Sequence, residues 1–127
     1  MHMYKNTQKN ISRGEEITKQ YMDFLDHHID EVITGKTLDF MKLSEIADKL
    51  CISHKHLTDT VQKETGNHPC HFYDMKIISQ VQGLLRDTDL SVSEIARTFT
   101  YDPSNFSKFF KKIVGDTPNI WRQKNRS

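Results

Sequence analysis

Apolar residues recur along this chain at the three-and-four spacing of helices and almost nowhere in strict alternation. Ile17, Tyr21, Phe24, Leu25, His28, Ile29, Val32 and Ile33 keep that spacing, which predicts an amphipathic helix closed by Gly35. Residues 73–86 (YDMKIISQVQGLLR) place Ile77, Ile78, Val81, Leu84 and Leu85 on one side of a second helix. Gly83 weakens that helix by about 1 kcal/mol relative to alanine. Residues 1–14 are polar and aperiodic and are expected to be disordered. The strongest short-range hairpin signals, Asn-Gly, Asp-Gly and Gly-Gly, are absent from the sequence. The predicted class is all-α.

An internal repeat organises the rest of the chain. LSEIADKL at 43–50 matches VSEIARTF at 92–99, an offset of 49. The offset continues without a gap. Leu57 answers Phe106, Val61 answers Phe110, Lys63 answers Lys112, Gly66 answers Gly115, Pro69 answers Pro118 and Phe72 answers Trp121. Two unrelated amphipathic helices would align some apolar positions, but not the Ser-Glu-Ile-Ala block, the glycine and the proline as well.

Each copy reads as a short helix, a tight turn and a longer helix, which is the helix-turn-helix pattern. In the second copy Ser91 and Glu94 form a capping box, and Asp102 caps the next helix with Pro103 at its first position. Phe106, Phe109, Phe110 and Ile113 form its apolar stripe and Gly115 ends it. In the first copy Ser53 is the cap, Leu57, Thr60 and Val61 face inward, and Gly66 is the stop. Ala47 and Ala96 fall where the two helices of each copy approach closely. The expected organisation is a disordered segment 1–14, an N-terminal helix with the first helix-turn-helix subdomain over 15–72, a linker helix over 73–86, and a second subdomain over 87–127.

Composition narrows the class without changing it. The chain has 127 residues, 35% hydrophobic and 28% charged, enough for one compact domain or two very small ones with a thin core. The opening MHMYKNTQKN has no apolar stretch of the kind a secretory signal needs, and no run reaches a membrane span. Two cysteines, Cys51 and Cys70, make no disulfide framework, so a reduced cytoplasmic setting is expected. The net charge is only +1, yet its distribution is uneven. Residues 101–127 carry 6 Lys+Arg against 2 Asp+Glu, while 1–50 and 51–100 are each slightly acidic. Arg122, Lys124 and Arg126 cluster at that basic end.

The outward faces of the two longer helices carry the chemistry. At about 100° per residue, the stripe opposite Leu57 holds Lys55, Thr58, Asp59 and Gln62, and the stripe opposite Phe106 holds Ser104, Ser107, Lys108 and Lys111. Short donors alternating with lysines suit the floor and rim of a DNA groove. With the flanking His54, Lys63, Asn105 and Lys112, these residues are the candidate DNA-binding set. Asp59 stands out, since it can accept from a cytosine amino group or repel phosphates.

The sequence resembles the DNA-binding domain of the AraC/XylS family of bacterial transcription regulators. The residues that carry the resemblance are LSEIADKLCISHKHLTDTVQKETGNHP at 43–69, IISQVQGLL at 77–85 and SVSEIARTFTYDPSNFSKFFKKIVGDTPNIWR at 91–122. The resemblance implies about seven helices in two subdomains, with both recognition helices entering successive major-groove segments of double-stranded DNA. It also implies contact with RNA polymerase, a place at the bacterial nucleoid, and an N-terminal effector domain if the chain is part of a longer regulator. The lean N-terminal stretch favours such an excised domain.

Three departures from the family pattern have consequences. Cys51 and Thr100 stand where members usually have a turn glycine, so a positive φ there would strain a β-branched Thr. TYDPSNF is one residue shorter than the usual GFSDPSNF-like turn, which implies a re-aimed second recognition helix. Ile77 replaces an Arg that commonly opens the linker helix.

Other classes find less support. His68, Cys70 and His71, or His54 and His56, lack zinc-site spacing. No metal or cofactor is expected. Glu45 and Glu94 sit at helix starts, where the dipole and the cap explain them. No phosphate loop or nucleophile elbow occurs, so catalysis is not expected. The alternative from another class is a helical protein-interaction module for RNA polymerase or a sensor domain.

Overall fold

A computed structural model describes residues 11–126, and among them the chain forms seven helices. They are α1 (Arg13–Ile33), α2 (Leu43–Lys49), α3 (His54–Thr65), α4 (Pro69–Asp87), α5 (Val92–Thr98), α6 (Pro103–Val114) and α7 (Pro118–Asn125). The disorder expected for 1–14 falls mostly outside the described residues, but Arg13 and Gly14 belong to α1. The cause is a capping box at its start. Ser12 Oγ accepts from Glu15 N at 3.1 Å, and Glu15 Oε1 accepts from Ser12 N at 3.3 Å. At the other end Gly35 adopts φ 81°, a left-handed state open to glycine. The linker helix also exceeds its expected span of 73–86, because Pro69 takes a first-turn position where a missing N–H is harmless.

The chain divides into two compact units, each discontinuous in sequence: 1–27 with 41–73, and 28–40 with 74–127. Residues 28–40 therefore go with the second unit, whereas the sequence reading grouped them with the first. The first unit buries Ile17, Tyr21, Leu25, Ile46, Ala47, Leu57 and Val61. Two phenols tie its distant segments. Tyr21 donates to the Pro69 carbonyl at 2.8 Å, and Tyr73 donates to the Met41 carbonyl at 2.9 Å.

The second unit buries Ile78, Val81, Leu85, Ile95, Ala96, Phe99, Phe106 and Phe110. Ile77, in the place of the family's arginine, is itself 3% exposed and belongs to this core. Aromatic rings dominate it. Tyr101 stacks on Phe109 at 5.3 Å with 16° between planes, and Trp121 meets Phe110 edge-on at 6.2 Å. A fully buried Phe contributes roughly 1.5–3 kcal/mol, so Phe99, Phe106 and Phe110 are among the main anchors of this unit. Burial, and then the nearby Asp74 charge, push the Tyr101 phenol above its ordinary pKa.

The two repeat copies have the same turn, bond for bond. Leu50 N reaches Ile46 O and Ala47 O, Cys51 N reaches Asp48 O, and Ile52 N reaches Ala47 O. Forty-nine residues on, Phe99 N reaches Ile95 O and Ala96 O, Thr100 N reaches Arg97 O, and Tyr101 N reaches Ala96 O. The shortened second turn thus has the length and bonding of the first. Cys51 and Thr100 adopt φ 63° and 60° at its apex.

Candidate nucleic-acid interface

Each recognition helix is held by its cap and its buried stripe, which leaves the opposite stripe to solvent. Ser53 Oγ accepts from His56 N at 3.0 Å to start α3, and Gly66 in the left-handed state ends it. Asp102 accepts from the N–H groups of Ser104 and Asn105 to start α6, and Gly115 ends it at φ 99°. Leu57 and Val61 are fully buried beneath α3, as are Phe106 and Phe110 beneath α6. These anchors fix the rotation of each helix about its axis and hence which side chains are presented.

On α3, His54, Lys55, Asp59, Gln62 and Lys63 are exposed and Thr58 is half-buried. On α6, Ser104, Asn105, Lys108, Lys111 and Lys112 are exposed and Ser107 is half-buried. Thr60, expected to face inward, is half-buried. The gapless offset matches the stripes one to one: Lys55 with Ser104, Thr58 with Ser107, Asp59 with Lys108, and Gln62 with Lys111.

The charges on the two stripes are arranged differently. Lys55 Nζ bonds Asp59 Oδ2 at 2.7 Å across one helical turn, with the side chains 84% and 60% exposed. That hydrogen bond, and then the Asp59 charge, raise the Lys55 pKa. On α6, Lys108, Lys111 and Lys112 make no ion pair among the described residues. The helix contains no acidic residue at all.

The basic C-terminal end, by contrast, is engaged within the second unit. Arg122 Nε donates to Leu85 O at 2.8 Å, and its Nη2 donates to Leu90 O at 2.6 Å and to Thr88 O at 3.3 Å. Its fork thus closes the last carbonyls of α4 and the bend leading to α5. Lys124 pairs with Asp116 at 3.2 Å, and Arg126 pairs with Asp89. Counting these cations toward a free basic surface is therefore corrected: Arg122 is a structural clamp. Its partners are backbone oxygens more than thirty residues away, so no local pattern announced it. Ser12, the cap of α1, was equally missed, although Ser12-x-x-Glu15 repeats the capping-box signature of Ser91 and Glu94.

Two turn-linked helix pairs, each with an exposed, capped second helix, define a tandem helix-turn-helix domain. A family model described as a helix-turn-helix domain matches residues 46–124, more than half of the chain. The chain belongs to the AraC/XylS family of helix-turn-helix proteins. It is 32% identical over 103 residues to the HTH-type transcriptional activator RhaR of Enterobacter sp. (strain 638), covering 77% of this chain and 36% of that protein. The chain spans about a third or less of the length of the curated relatives it matches. Among solved structures, it is similar to the C-terminal domain of AraT, a response regulator from Geobacillus stearothermophilus. That likeness has 26% identity, 91% coverage of both chains and a TM-score of 0.77. The DNA-binding domain of AdpA, solved with a target DNA, shares the fold at 20% identity and a TM-score of 0.68, covering 84% of this chain and 90% of that one.

Proposed function

We propose that this chain is the DNA-reading part of a bacterial transcription regulator. It binds double-stranded DNA by laying α3 and α6 in major-groove segments. The carrying observation is the α6 stripe: Ser104, Ser107, Lys108 and Lys111 lie on one side, without an acidic residue on the helix. Lysines reach phosphates and guanine edges, and hydroxyls reach either donors or acceptors on bases. The site solved with DNA in the AdpA domain supports the same partner for this fold.

Within that reading, α6 supplies most of the electrostatic affinity and α3 tunes selectivity. The candidate contacts are His54, Lys55, Thr58, Asp59, Gln62 and Lys63 on α3, and Ser104, Asn105, Ser107, Lys108, Lys111 and Lys112 on α6. The protein acts in the bacterial cytoplasm at the nucleoid and contacts RNA polymerase, and if this chain is part of a longer regulator, an N-terminal effector domain is joined to it. Among the described residues no helix is long and apolar enough to cross a membrane.

The test is a salt titration on a labelled random-sequence duplex three helical turns long. Log affinity should fall linearly with log salt between about 50 and about 200 mM, with a slope of about 0.9 per phosphate neutralised. Salt-insensitive binding, or none, would defeat the proposal and favour a protein-interaction role.

A further inference from the structure

The two recognition stripes match position for position, yet one position reverses charge: Asp59 stands where α6 has Lys108. Asp59 is not pointed away from its neighbours. Its Oδ2 holds the Lys55 ammonium at 2.7 Å, and both side chains stay largely in solvent. The lysine precedes the acid along the helix, the weaker of the two i,i+4 orientations. Such an exposed pair forms and breaks readily in water, and so biases Lys55 toward Asp59 without locking it.

We infer that Asp59 is the specificity-determining residue of α3. Paired through Lys55, it makes that stripe electrically silent toward phosphates and receptive to a G·C base pair. The inference rests on the proposed DNA-reading function and concerns one helix within it. A phosphate approaching Lys55 must compete with a carboxylate already bonded to it, and Asp59 itself repels the phosphate. Random DNA thus gains little from Lys55. A G·C pair offers the opposite case. In the major groove guanine presents N7 and O6 as acceptors and cytosine presents its N4 amino group as a donor beside them. An ammonium and a carboxylate side by side complement that order without separating. An A·T pair places its donor between two acceptors and does not match. The α6 stripe, with lysines and hydroxyls only, has no such filter.

The test compares the wild type with Asp59→Asn and Glu64→Gln. Glu64 lies on the same helix but half a turn from Lys55 and beside Gly14, so E64Q removes the same charge from outside the stripe. On a random-sequence duplex, D59N should steepen the salt slope by about 0.9 and raise affinity by up to about eightfold at about 0.1 M salt, the effect of one added phosphate contact. E64Q should change neither. In selection from a randomised duplex pool, the wild type should enrich one G·C pair about fivefold more strongly than D59N does, because the Asn oxygen still accepts from the cytosine amino group but without the charge.

Equal behaviour of D59N and E64Q would reduce the effect to net charge and overturn the inference. So would a D59N slope identical to that of the wild type, or a G·C pair that D59N enriches as strongly as the wild type. Failure of the wild type to bind any duplex would instead overturn the DNA-reading function itself. Thermal melts of the three proteins check folding, which an exposed Asp59 should leave intact.

Discussion

Cys51 and Thr100, 49 positions apart, share one backbone conformation, with φ 63° and 60° at the apex of the two helix-turn-helix turns. Neither side chain suits it, because a left-handed φ presses Cβ toward the following carbonyl. The β-branched Thr100 has the fewer ways to relieve the crowding. Thr100→Gly should therefore stabilise the protein by up to about 1.5 kcal/mol, the left-handed penalty less the extra chain entropy of glycine. Cys51→Gly should act in the same direction by less. Denaturant melts check this, and a destabilised T100G would show that the Thr100 side chain makes a compensating contact.

Arg122 supplies a different kind of stability. Three carbonyls converge on its guanidinium within 3.3 Å, and a lysine cannot reproduce that planar fork. Arg122→Ala should destabilise the protein by roughly 2–3 kcal/mol, in the range of a lost charged hydrogen-bond group with acceptors left unmet. Arg122→Lys should recover only part of it. At a temperature where both variants remain folded, the salt slope for DNA should be unchanged. A flattened slope would place Arg122 on the phosphates instead.

Removing Lys108 and Lys111 together by alanine should flatten the salt slope by about 1 to 2 units. Removing Lys55 should leave the slope nearly unchanged, since Asp59 already holds its ammonium. Titrations of both variants on the same random duplex read this directly. Equal slope changes would refute the division of labour between the helices.

Acid should loosen the start of α5. Ser91 N and Oγ bond the Glu94 carboxylate and backbone in a reciprocal box. The Ser91 backbone N–H, then its side chain, then the Arg97 charge hold the Glu94 pKa below its ordinary 4.5 against the opposing effect of desolvation. The folded state thus binds this proton more weakly than the unfolded chain does. Its contribution is complete above 4.5 and is lost as pH falls through the lower folded value. Glu94→Gln keeps a box-competent side chain without the titration. Its melting temperature should fall less steeply than that of the wild type between about pH 5 and about pH 3. Parallel curves would mean that Glu94 does not contribute.

Local signals carried most of this fold. Ser53, Asp102, Gly66 and Gly115 each mark a helix end by what their own side chain, or its absence, allows, and each is readable within a few residues. The 49-residue offset pairs these marks, Ser53 with Asp102 and Gly66 with Gly115. Long-range bonds left no comparable trace. Tyr21 to Pro69 and Arg122 to Leu85 span 48 and 37 residues, and a tyrosine or arginine with a remote carbonyl partner looks like any other. The candidate interface was legible as a stripe, because periodicity gives direction. The bond between Lys55 and Asp59 was legible only as a spacing, because four residues apart permits a pair without requiring it.

The interleaving of the two units sets an order on how the chain can fold. As synthesis proceeds, residues 28–40 emerge early, yet the rest of their unit begins at Asp74. The segment bearing His28 and Phe40, which sit edge to face at 5.9 Å, must wait for Tyr101 to arrive before Phe40 gains its neighbour at 6.4 Å. A cut between the two helix-turn-helix copies would strand that segment on the wrong fragment. A gene that encoded only residues 74–127 would accordingly lack the segment 28–40 that completes the second unit, and with it the rings of His28 and Phe40.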